Sequence, residues 1–271
     1  MTTSQADKVA AFRALHETGC FALPNPWDVG SARYLQALGF RALASTSAGF
    51  AWSLGKMDYQ LTVEDVLGHL SSLCAATDLP VNADFEGGFA IEPEGVAANV
   101  ARAAATGLAG LSIEDRSPAG SDRPLLALDL AVARIRAARA AIDASGTGVL
   151  LTARCEGYLV GEGNLAPTLA RLEAFAEAGA DCLYAPGLTK DEDIRAVVAA
   201  VAPRPVNVLA FDYGWTTQHL ADLGVRRVSL GGALARKAYA EAMHAAKGWL
   251  DTGALGAVAA QPPIPFGAAF G

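Results

Sequence analysis

Two strand-like stretches decide the fold of this chain: Pro80-Val-Asn-Ala-Asp-Phe-Glu86 and Gly110-Leu-Ser-Ile-Glu-Asp115. Each is a short apolar run that ends in acids, Asp84 and Glu86 in the first and Glu114 in the second. In a parallel barrel the carboxyl ends of all strands lie on one face, and barrel enzymes keep their active sites on that face. The two stretches therefore predict that three carboxylates meet at one end of a parallel sheet.

Similar short runs recur along the chain, and each is followed by an Ala-rich segment with helical periodicity. Eight strand–helix units in strict alternation predict an α/β fold, a (β/α)8 TIM barrel, while a doubly wound open sheet stays the alternative. The length of 271 residues suits one such barrel, so we predict a single domain over 1–271 with a C-terminal helix and an extended tail after Gly253. The predicted strands are Phe21–Pro24, Ala42–Ser45, Val81–Asp84, Gly110–Glu114, Gly148–Arg154, Cys182–Ala185, Val206–Ala210 and Arg227–Leu230. The predicted helices cover about 29–38, 62–76, 93–106, 127–144, 166–178, 190–201, 216–223 and 232–248.

The composition argues against several classes of protein. The formal net charge is −7 and no basic stripe is present, which argues against a nucleic-acid partner. The four cysteines form no Cys-x-x-Cys pair, so neither a zinc site nor a disulfide framework is predicted. The N-terminus lacks a signal-peptide pattern, and no apolar run is long enough to span a bilayer. We therefore expect a soluble, cytoplasmic protein without a membrane partner.

The acids at the predicted strand ends indicate a metal site. Asp84 and Glu86 flank Phe85, and alternate residues of a strand point the same way, so both carboxylates can face one pocket. Carboxylates crowded together repel one another unless a hard cation lies between them, and Mg²⁺ is the usual one. Solvated loop charges are the alternative interpretation. Asp58, in the long connection 48–59, is by default an exposed loop acid.

Other polar groups are predicted at the same end of the sheet. Arg154 ends the fifth strand, where a guanidinium suits a substrate carboxylate or a developing enolate oxygen, with a salt bridge to a nearby acid as the alternative. Ser45, Thr46 and Ser47 offer hydroxyl and backbone N–H groups to a carboxylate. Asn207 either points its amide into the pocket or is a satisfied core residue.

Histidines and cysteines contribute little to the predicted chemistry. The four histidines fall in helical segments without metal-ligand spacing, so we expect surface or helix-end residues and no histidine base. Cys155 points away from the pocket if its strand continues, which favours packing over a nucleophilic role. The polar loop Asp115–Leu126 has the length of an active-site lid.

Six motifs together resemble the isocitrate lyase/phosphoenolpyruvate mutase superfamily over about residues 8–250. They are Asn25-Pro-Trp-Asp-Val-Gly-Ser-Ala32, Ser45–Gly49, Asp84-Phe-Glu-Gly-Gly88, Ile113–Asp115, Ala153-Arg154 and Tyr184–Leu188. The resemblance implies a modified barrel whose last helix is often exchanged between subunits of a homodimer or homotetramer. The loop 115–126 has no cysteine, unlike the corresponding loop of isocitrate and methylisocitrate lyases, so the resemblance is to the branch without that cysteine.

The resemblance also implies a cofactor and a class of substrate. It implies Mg²⁺, or Mn²⁺, held directly or through water by acids at four positions: Asp58, Asp84, Glu86 and Glu114. The implied substrates are small 2-oxo or 2-hydroxy carboxylic acids, and the implied substrate-binding residues are Ser45, Thr46, Ser47, Trp27, Asp28, Arg154 and Asn207. The implied catalytic residues are Arg154, Glu114 and Asp58.

Three functions stay open. The first is a Mg²⁺-dependent lyase that cleaves a C–C bond next to a 2-oxo or 2-hydroxy carboxylate through an enolate-like species. Its substrate would resemble oxaloacetate, or else an alkylmalate or methylisocitrate. The second is a phosphonopyruvate hydrolase or phosphonomutase, which acts on a P–C bond. The third is an inactive barrel that binds a carboxylate.

Overall fold

The structure, a computed structural model, describes residues 3–210, 214–258 and 266–270. Eight parallel strands form one sheet in the order β1-β8-β7-β6-β5-β4-β3-β2, and a backbone hydrogen bond from Ala44 N–H to Pro24 O (3.0 Å) links its two ends. The predicted (β/α)8 barrel is confirmed, and each strand lies at or inside its predicted bounds. The strands are β1 Phe21–Leu23, β2 Leu43–Ala44, β3 Val81–Asp84, β4 Gly110–Glu114, β5 Leu150–Arg154, β6 Cys182–Tyr184, β7 Val206–Leu209 and β8 Arg227–Ser229.

Helices surround the barrel, and three of those described were not predicted. The first, α1 (Gln5–Glu17), precedes the barrel, the second, α3 (Ser47–Ser53), occupies the start of the predicted loop 48–59, and the third, α11 (Phe266–Phe270), lies in the predicted tail. Thr46 caps α3 by accepting a hydrogen bond from Gly49 N–H at 3.3 Å. The helices are α1 Gln5–Glu17, α2 Val29–Ala37, α3 Ser47–Ser53, α4 Val63–Ala76, α5 Pro93–Ala104, α6 Leu128–Ser145, α7 Leu165–Glu177, α8 Asp191–Val201, α9 Thr217–Asp222, α10 Ala233–Thr252 and α11 Phe266–Phe270.

The prediction of an extended tail is wrong where the structure describes that tail. A 3-10 turn at Leu255–Val258 follows α10, and the short helix α11 packs on α2. The rings of Tyr34 and Phe270 lie 4.9 Å apart in an edge-on contact. This partly exposed aromatic contact gives the short helix a stabilisation that local propensity alone does not provide. Residues 259–265 and 271 of the predicted tail lie outside the described residues.

The amino-terminal end of the barrel is closed by α1. Phe12 is fully buried there, and its ring lies against the rings of His16 and Phe21. His16 and His69 are both buried. His16 lies at a helix end, in the last turn of α1, whereas His69 lies in the middle of α4, so the expectation that the histidines are surface or helix-end residues is wrong for His69. Their neutral rings pack as aromatic groups, His69 stacking on Phe50 with centroids 3.8 Å apart. No helix in the described part of the chain is both long and apolar enough to cross a membrane.

Candidate active site

Acidic and basic side chains meet at the carboxyl ends of three adjacent strands. Glu114, the last residue of β4, is the register partner of Arg154, the last residue of β5. Asp84 ends β3 and is the partner of Ser112, which lies two residues before Glu114 on the same side of β4. Parallel pairing therefore brings the three charged groups to one end of the barrel, as the sequence predicts.

Arg154 contacts three carboxylates at once. Its Nη1 lies 2.7 Å from Asp84 Oδ1, its Nη2 3.2 Å from Glu114 Oε2 and its Nε 2.9 Å from Glu156 Oε1. The guanidinium also faces the ring of Tyr184, 5.2 Å from its centroid. Burial lowers the pKa of Arg154, but the charges of Glu156, Glu114 and Asp84 outweigh burial and raise it well above its ordinary value. Arg154 is therefore a permanent cation that holds these acids together.

Asp58 and Glu86 complete an acidic group around Asp84. Glu86 is buried, and its Oε1 has no hydrogen-bond partner in the described part of the chain. Its backbone is left-handed (φ 44°), a strained conformation for this residue type. Burial, followed by the charges of Asp84 and Asp58, raises the pKa of Glu86 to about 8. Burial and the charge of Asp84 also raise the pKa of Asp58. Since the charge of Asp84 raises the pKa of both Asp58 and Glu86, these carboxylates lie close enough to repel one another.

The chemistry of this donor set fits a divalent metal with few protein ligands. Within residues 3–210, 214–258 and 266–270, no three Asp, Glu, His or Cys side chains form a group that could hold a metal. An all-protein cage is therefore not present there. Mg²⁺ suits a different arrangement, in which one or two carboxylates bind and water or substrate oxygens fill the other positions. Asp84 at the centre, with the unpartnered Oε1 of Glu86 nearby, matches that description.

Two further acids lie behind Arg154. Burial and then the charge of Glu156 raise the pKa of Glu114 well above its ordinary value. Burial also raises the pKa of Glu156, whose Oε2 has no hydrogen-bond partner among the described residues. Asp115 fixes the backbone here, because its Oδ1 accepts a hydrogen bond from Glu156 N–H at 2.8 Å while its Oδ2 pairs with Arg171 at 3.1 Å. These contacts hold the ends of β4 and β5 together.

The predicted serine and threonine residues lie beside Asp84. Ser47 N–H donates to Asp84 Oδ2 at 2.9 Å, and Ser45 Oγ accepts from Asp84 N–H at 2.8 Å. Thr46 caps α3, so the hydroxyls of Ser45 and Thr46 already have partners within the protein. All three residues line the central cavity of the barrel.

Two cavities open on this end of the barrel. The central cavity, about 210 Å³, runs from Asp84 and Arg154 down the barrel axis to Arg227. A second cavity of about 600 Å³ lies between the turn after β3 and the loop 115–126, and is lined by Glu86, Glu114 and apolar side chains of both segments. Asp58 lines both cavities.

Trp27 and Asp28 are not where the sequence places them. Both line a separate groove between α2 and α10, so the expectation that they line the same pocket as the other site residues is wrong for this structure. The reason is local, because the Asp28 carboxylate caps α2 by accepting from Ser31 N–H at 2.6 Å. Asn25 of the same motif does line the central cavity, and it accepts a hydrogen bond from Leu230 N–H at 2.9 Å.

Three residues of this region were missed by the sequence analysis. Tyr59 has a left-handed backbone (φ 64°), and the guanidinium of Arg116 lies 4.2 Å from its ring centroid, between the two cavities. Arg227 lies deep in the central cavity beside Asn207, which is both a satisfied core residue and a lining residue. The charge of Arg227 at the start of the predicted strand Arg227–Leu230 is a signal, but it becomes informative only beside a cavity. No sequence signal distinguishes Tyr59 or Arg116 from ordinary loop residues.

Comparison with known proteins identifies the family. The family described as phosphoenolpyruvate phosphomutase matches residues 12–250. An uncharacterized protein of Mycobacterium tuberculosis is 34% identical over 243 residues, 89% of this chain and 89% of that protein. The 2-methylisocitrate lyase of Salmonella typhimurium is 30% identical over 218 residues, 78% of this chain and 73% of that enzyme.

Solved structures agree with this result. A structure from Burkholderia cenocepacia J2315, assigned in general terms as a lyase/mutase, has a TM-score of 0.92 and 46% identity, and covers 96% of this chain and 94% of that one. Oxaloacetate acetylhydrolase in complex with the product oxalate has a TM-score of 0.86 and 26% identity, with coverage of 97% and 93%. The chain belongs to the phosphoenolpyruvate mutase/isocitrate lyase superfamily of lyases and mutases.

Proposed function

We propose that this protein is a Mg²⁺-dependent lyase that cleaves a C–C bond next to a 2-oxo or 2-hydroxy carboxylate, with Mn²⁺ as a possible substitute for Mg²⁺. The observation that carries the proposal is the contact of Arg154 with Asp84, Glu114 and Glu156 at the barrel mouth. A buried cation with spare donors, beside a group of acids, suits a reaction in which negative charge develops on an oxygen. The similarity to 2-methylisocitrate lyase and oxaloacetate acetylhydrolase supports C–C cleavage.

Arg154 is the group that we propose to stabilise this charge. A guanidinium has five N–H donors, and its three ion pairs occupy one on Nε and one on each Nη. One donor on each Nη therefore stays available to an oxygen in the cavity. Because Glu114 and Glu156 fix the guanidinium before substrate arrives, little reorganisation is needed during the reaction.

The remaining site residues have proposed roles in binding. Asp84, Glu86, Asp58 and Glu114 would hold the metal directly or through water, and a bound divalent cation supplies Lewis-acid stabilisation of an enolate-like oxygen. Ser45, Thr46 and Ser47 form the wall against which the substrate carboxylate would lie, and Asn207 lies further down the same cavity. The loop 115–126 lines the larger cavity, and we propose that it excludes water from the intermediate.

Product analysis tests this proposal. The protein is incubated with Mg²⁺ and, separately, with oxaloacetate, 2-methylisocitrate and 2,3-dimethylmalate, and C–C cleavage products are measured. We expect cleavage of at least one compound, abolished by a chelator and restored by added Mg²⁺. The paired assay measures pyruvate and phosphate, the products of hydrolysis, and phosphoenolpyruvate, the product of a mutase, from phosphonopyruvate, because the family match to phosphoenolpyruvate phosphomutase keeps P–C chemistry as the second candidate. Product from phosphonopyruvate alone would replace the C–C assignment.

We also propose that the protein is a homodimer or homotetramer in which α10 packs against another subunit. Of the 20 residues of α10, Ala235 is the one buried residue in this chain. Tyr239, Met243, Trp249 and Leu250 are exposed, and an apolar helix face of this kind indicates a protein interface. Light scattering should give a mass of two or four chains for the native protein and a lower mass for Leu250→Glu. A monomeric native protein would contradict the proposal.

A further inference from the structure

A buried arginine lies at the floor of the central cavity. Arg227 is the first residue of β8, and its side chain is 2% exposed. Its Nε donates to Asn207 Oδ1 at 2.9 Å, while its Nη1 is 3.5 Å from both Asn82 Oδ1 and His16 Nε2. One short hydrogen bond from Nε and two long contacts of Nη1 leave the two N–H donors of Nη2 without a hydrogen-bond partner among the described residues.

Among the described residues, no carboxylate compensates this guanidinium. Across the described ranges 3–210, 214–258 and 266–270, no carboxylate lies within 4.0 Å of it. His16 is a neutral neighbour, because its Nδ1 must donate to Phe12 O at 2.8 Å and its Nε2 is then an acceptor. Burial, and then the charge of Arg227, lowers the pKa of His16 to about 3, so the ring carries no charge at neutral pH.

Two other arginines of the barrel have more complete contacts. Arg154 pairs with three carboxylates. Arg134 donates from both Nη atoms to three backbone carbonyls, those of Glu114, Gly87 and Ala90, and only its Nε lacks a partner among the described residues. Arg227 has neither arrangement. Because a buried charge without a counter-charge is costly, the contacts of Arg227 are incomplete in the substrate-free protein.

The unused donors of Arg227 adjoin the central cavity. Ser229, which follows two residues later and lies on the same side of β8, also lines this cavity. Ser229 Oγ accepts a hydrogen bond from Asn207 Nδ2 at 3.0 Å, and its hydroxyl also pairs with the Tyr184 side chain. An anionic group at the cavity floor would therefore receive its charge-assisted hydrogen bonds from Arg227.

We propose that Arg227 binds a carboxylate group at the floor of the central cavity, opposite the charged cluster at the mouth. Asn82 contacts Arg227, and Asp84 lies two residues further along β3, a rise of roughly 7 Å that a short dicarboxylic acid spans. Arg227 thus selects substrates by their second carboxylate. The identification of the ligand as a dicarboxylic substrate rests on the proposed function, whereas the anion site at Arg227 does not. A free inorganic anion could accept the same hydrogen bonds, and the experiment distinguishes it from a substrate carboxylate.

Binding of unreactive acids tests the proposal without any turnover. Affinities for succinate and for propionate, which lacks the second carboxylate, are measured by calorimetry in the presence of Mg²⁺ for native protein and for Arg227→Met. We expect succinate to bind at least roughly tenfold more tightly than propionate, with that preference lost in Arg227→Met, as expected for one charge-assisted interaction. The matched control is Arg226→Met. Arg226 precedes Arg227 and is partly exposed, with its Nη1 donating to Gly19 O at 3.0 Å, so this variant should keep the preference.

Each outcome decides the proposal. Equal succinate preference in native protein and folded Arg227→Met would overturn it. Should Arg227→Met fail to fold, bromide-soaked crystals of the native protein decide, because an anomalous peak at the guanidinium supports an anion site and its absence overturns one. Bromide at Arg227 together with no succinate preference in native protein assigns the site to a free anion and overturns the substrate assignment. Failure of every cleavage assay would overturn the proposed reaction and leave these binding results standing.

Discussion

Removal of the Arg154 guanidinium should strongly destabilise the fold. In Arg154→Met the three carboxylates that lie 2.7–3.2 Å from the guanidinium lose their cation. Glu114 and Glu156 suffer most, because their side chains are only 2% and 1% exposed. Breaking a buried ion pair by removing one partner costs about 3–5 kcal/mol. At about 2–4 °C per kcal/mol for a large domain, the melting temperature should fall by roughly 6–20 °C.

Urea unfolding followed by circular dichroism, in the absence of divalent metal, measures this cost. Arg136→Met is the matched control, because Arg136 is exposed on α6 and its loss should change the free energy of unfolding by less than about 0.5 kcal/mol. Adding Glu156→Gln to Arg154→Met should recover part of the loss by removing one uncompensated charge. An Arg154→Met protein within about 1 kcal/mol of native stability would refute the reasoning, as would a double variant with no recovery.

Three further predictions concern single positions. Asp84→Ala should lose both Mn²⁺ binding and metal-dependent turnover, and an active Asp84→Ala protein would falsify the metal assignment. Cys155→Ser should keep most activity, because burial raises the pKa of that thiol to about 12 and keeps it protonated. Burial lowers the pKa of His69 from 6.5 to about 4. Between these two pH values the folded state binds fewer protons than the unfolded chain, so the free energy of unfolding should fall by up to about 3 kcal/mol as the pH is lowered from 6.5 to 4. His69→Gln should show a smaller fall in acid unfolding experiments, and identical pH slopes would contradict this. Gly110→Ala should lower the free energy of unfolding by about 1–3 kcal/mol, because its Cβ would lie 2.6 Å from Asn82 Oδ1 and 2.7 Å from Phe12 Cε1. Urea unfolding measures this change, and an unchanged midpoint would contradict the close packing.

The sequence predicts the barrel and its charged mouth well, because both depend on local patterns. Apolar runs that alternate with Ala-rich helices give the strand order, and acids at strand ends fall on one face once the strands are parallel. Asp84, Glu114 and Arg154 accordingly lie together. A glycine also follows three of the Ala-rich helical runs, and Gly107, Gly179 and Gly224 all have positive φ angles of 90–104°, as expected where a helix ends in a left-handed residue.

Features that depend on tertiary contacts were not predictable from these patterns. Helix α3 is short, and its serine-rich start reads as a turn until Thr46 caps it. From sequence alone, Asp28 could equally bind substrate or cap a helix, and the structure shows that it caps α2. The burial of His16 and His69 depends on which helix face meets the barrel. The isolated charge of Arg227 became informative only when the cavity beside it was seen.

The most direct measurement is an anomalous diffraction map of crystals grown with Mn²⁺ and oxalate. The account predicts one manganese peak at the barrel mouth, next to the Asp84 carboxylate, with oxalate density between the metal and the Ser45–Ser47 wall. In Asp84→Asn crystals the peak should be weak or absent, while Asp193→Asn, altered in the first turn of α8, should keep it. Manganese at another site, or no peak beside Asp84 in the native protein, would contradict the account.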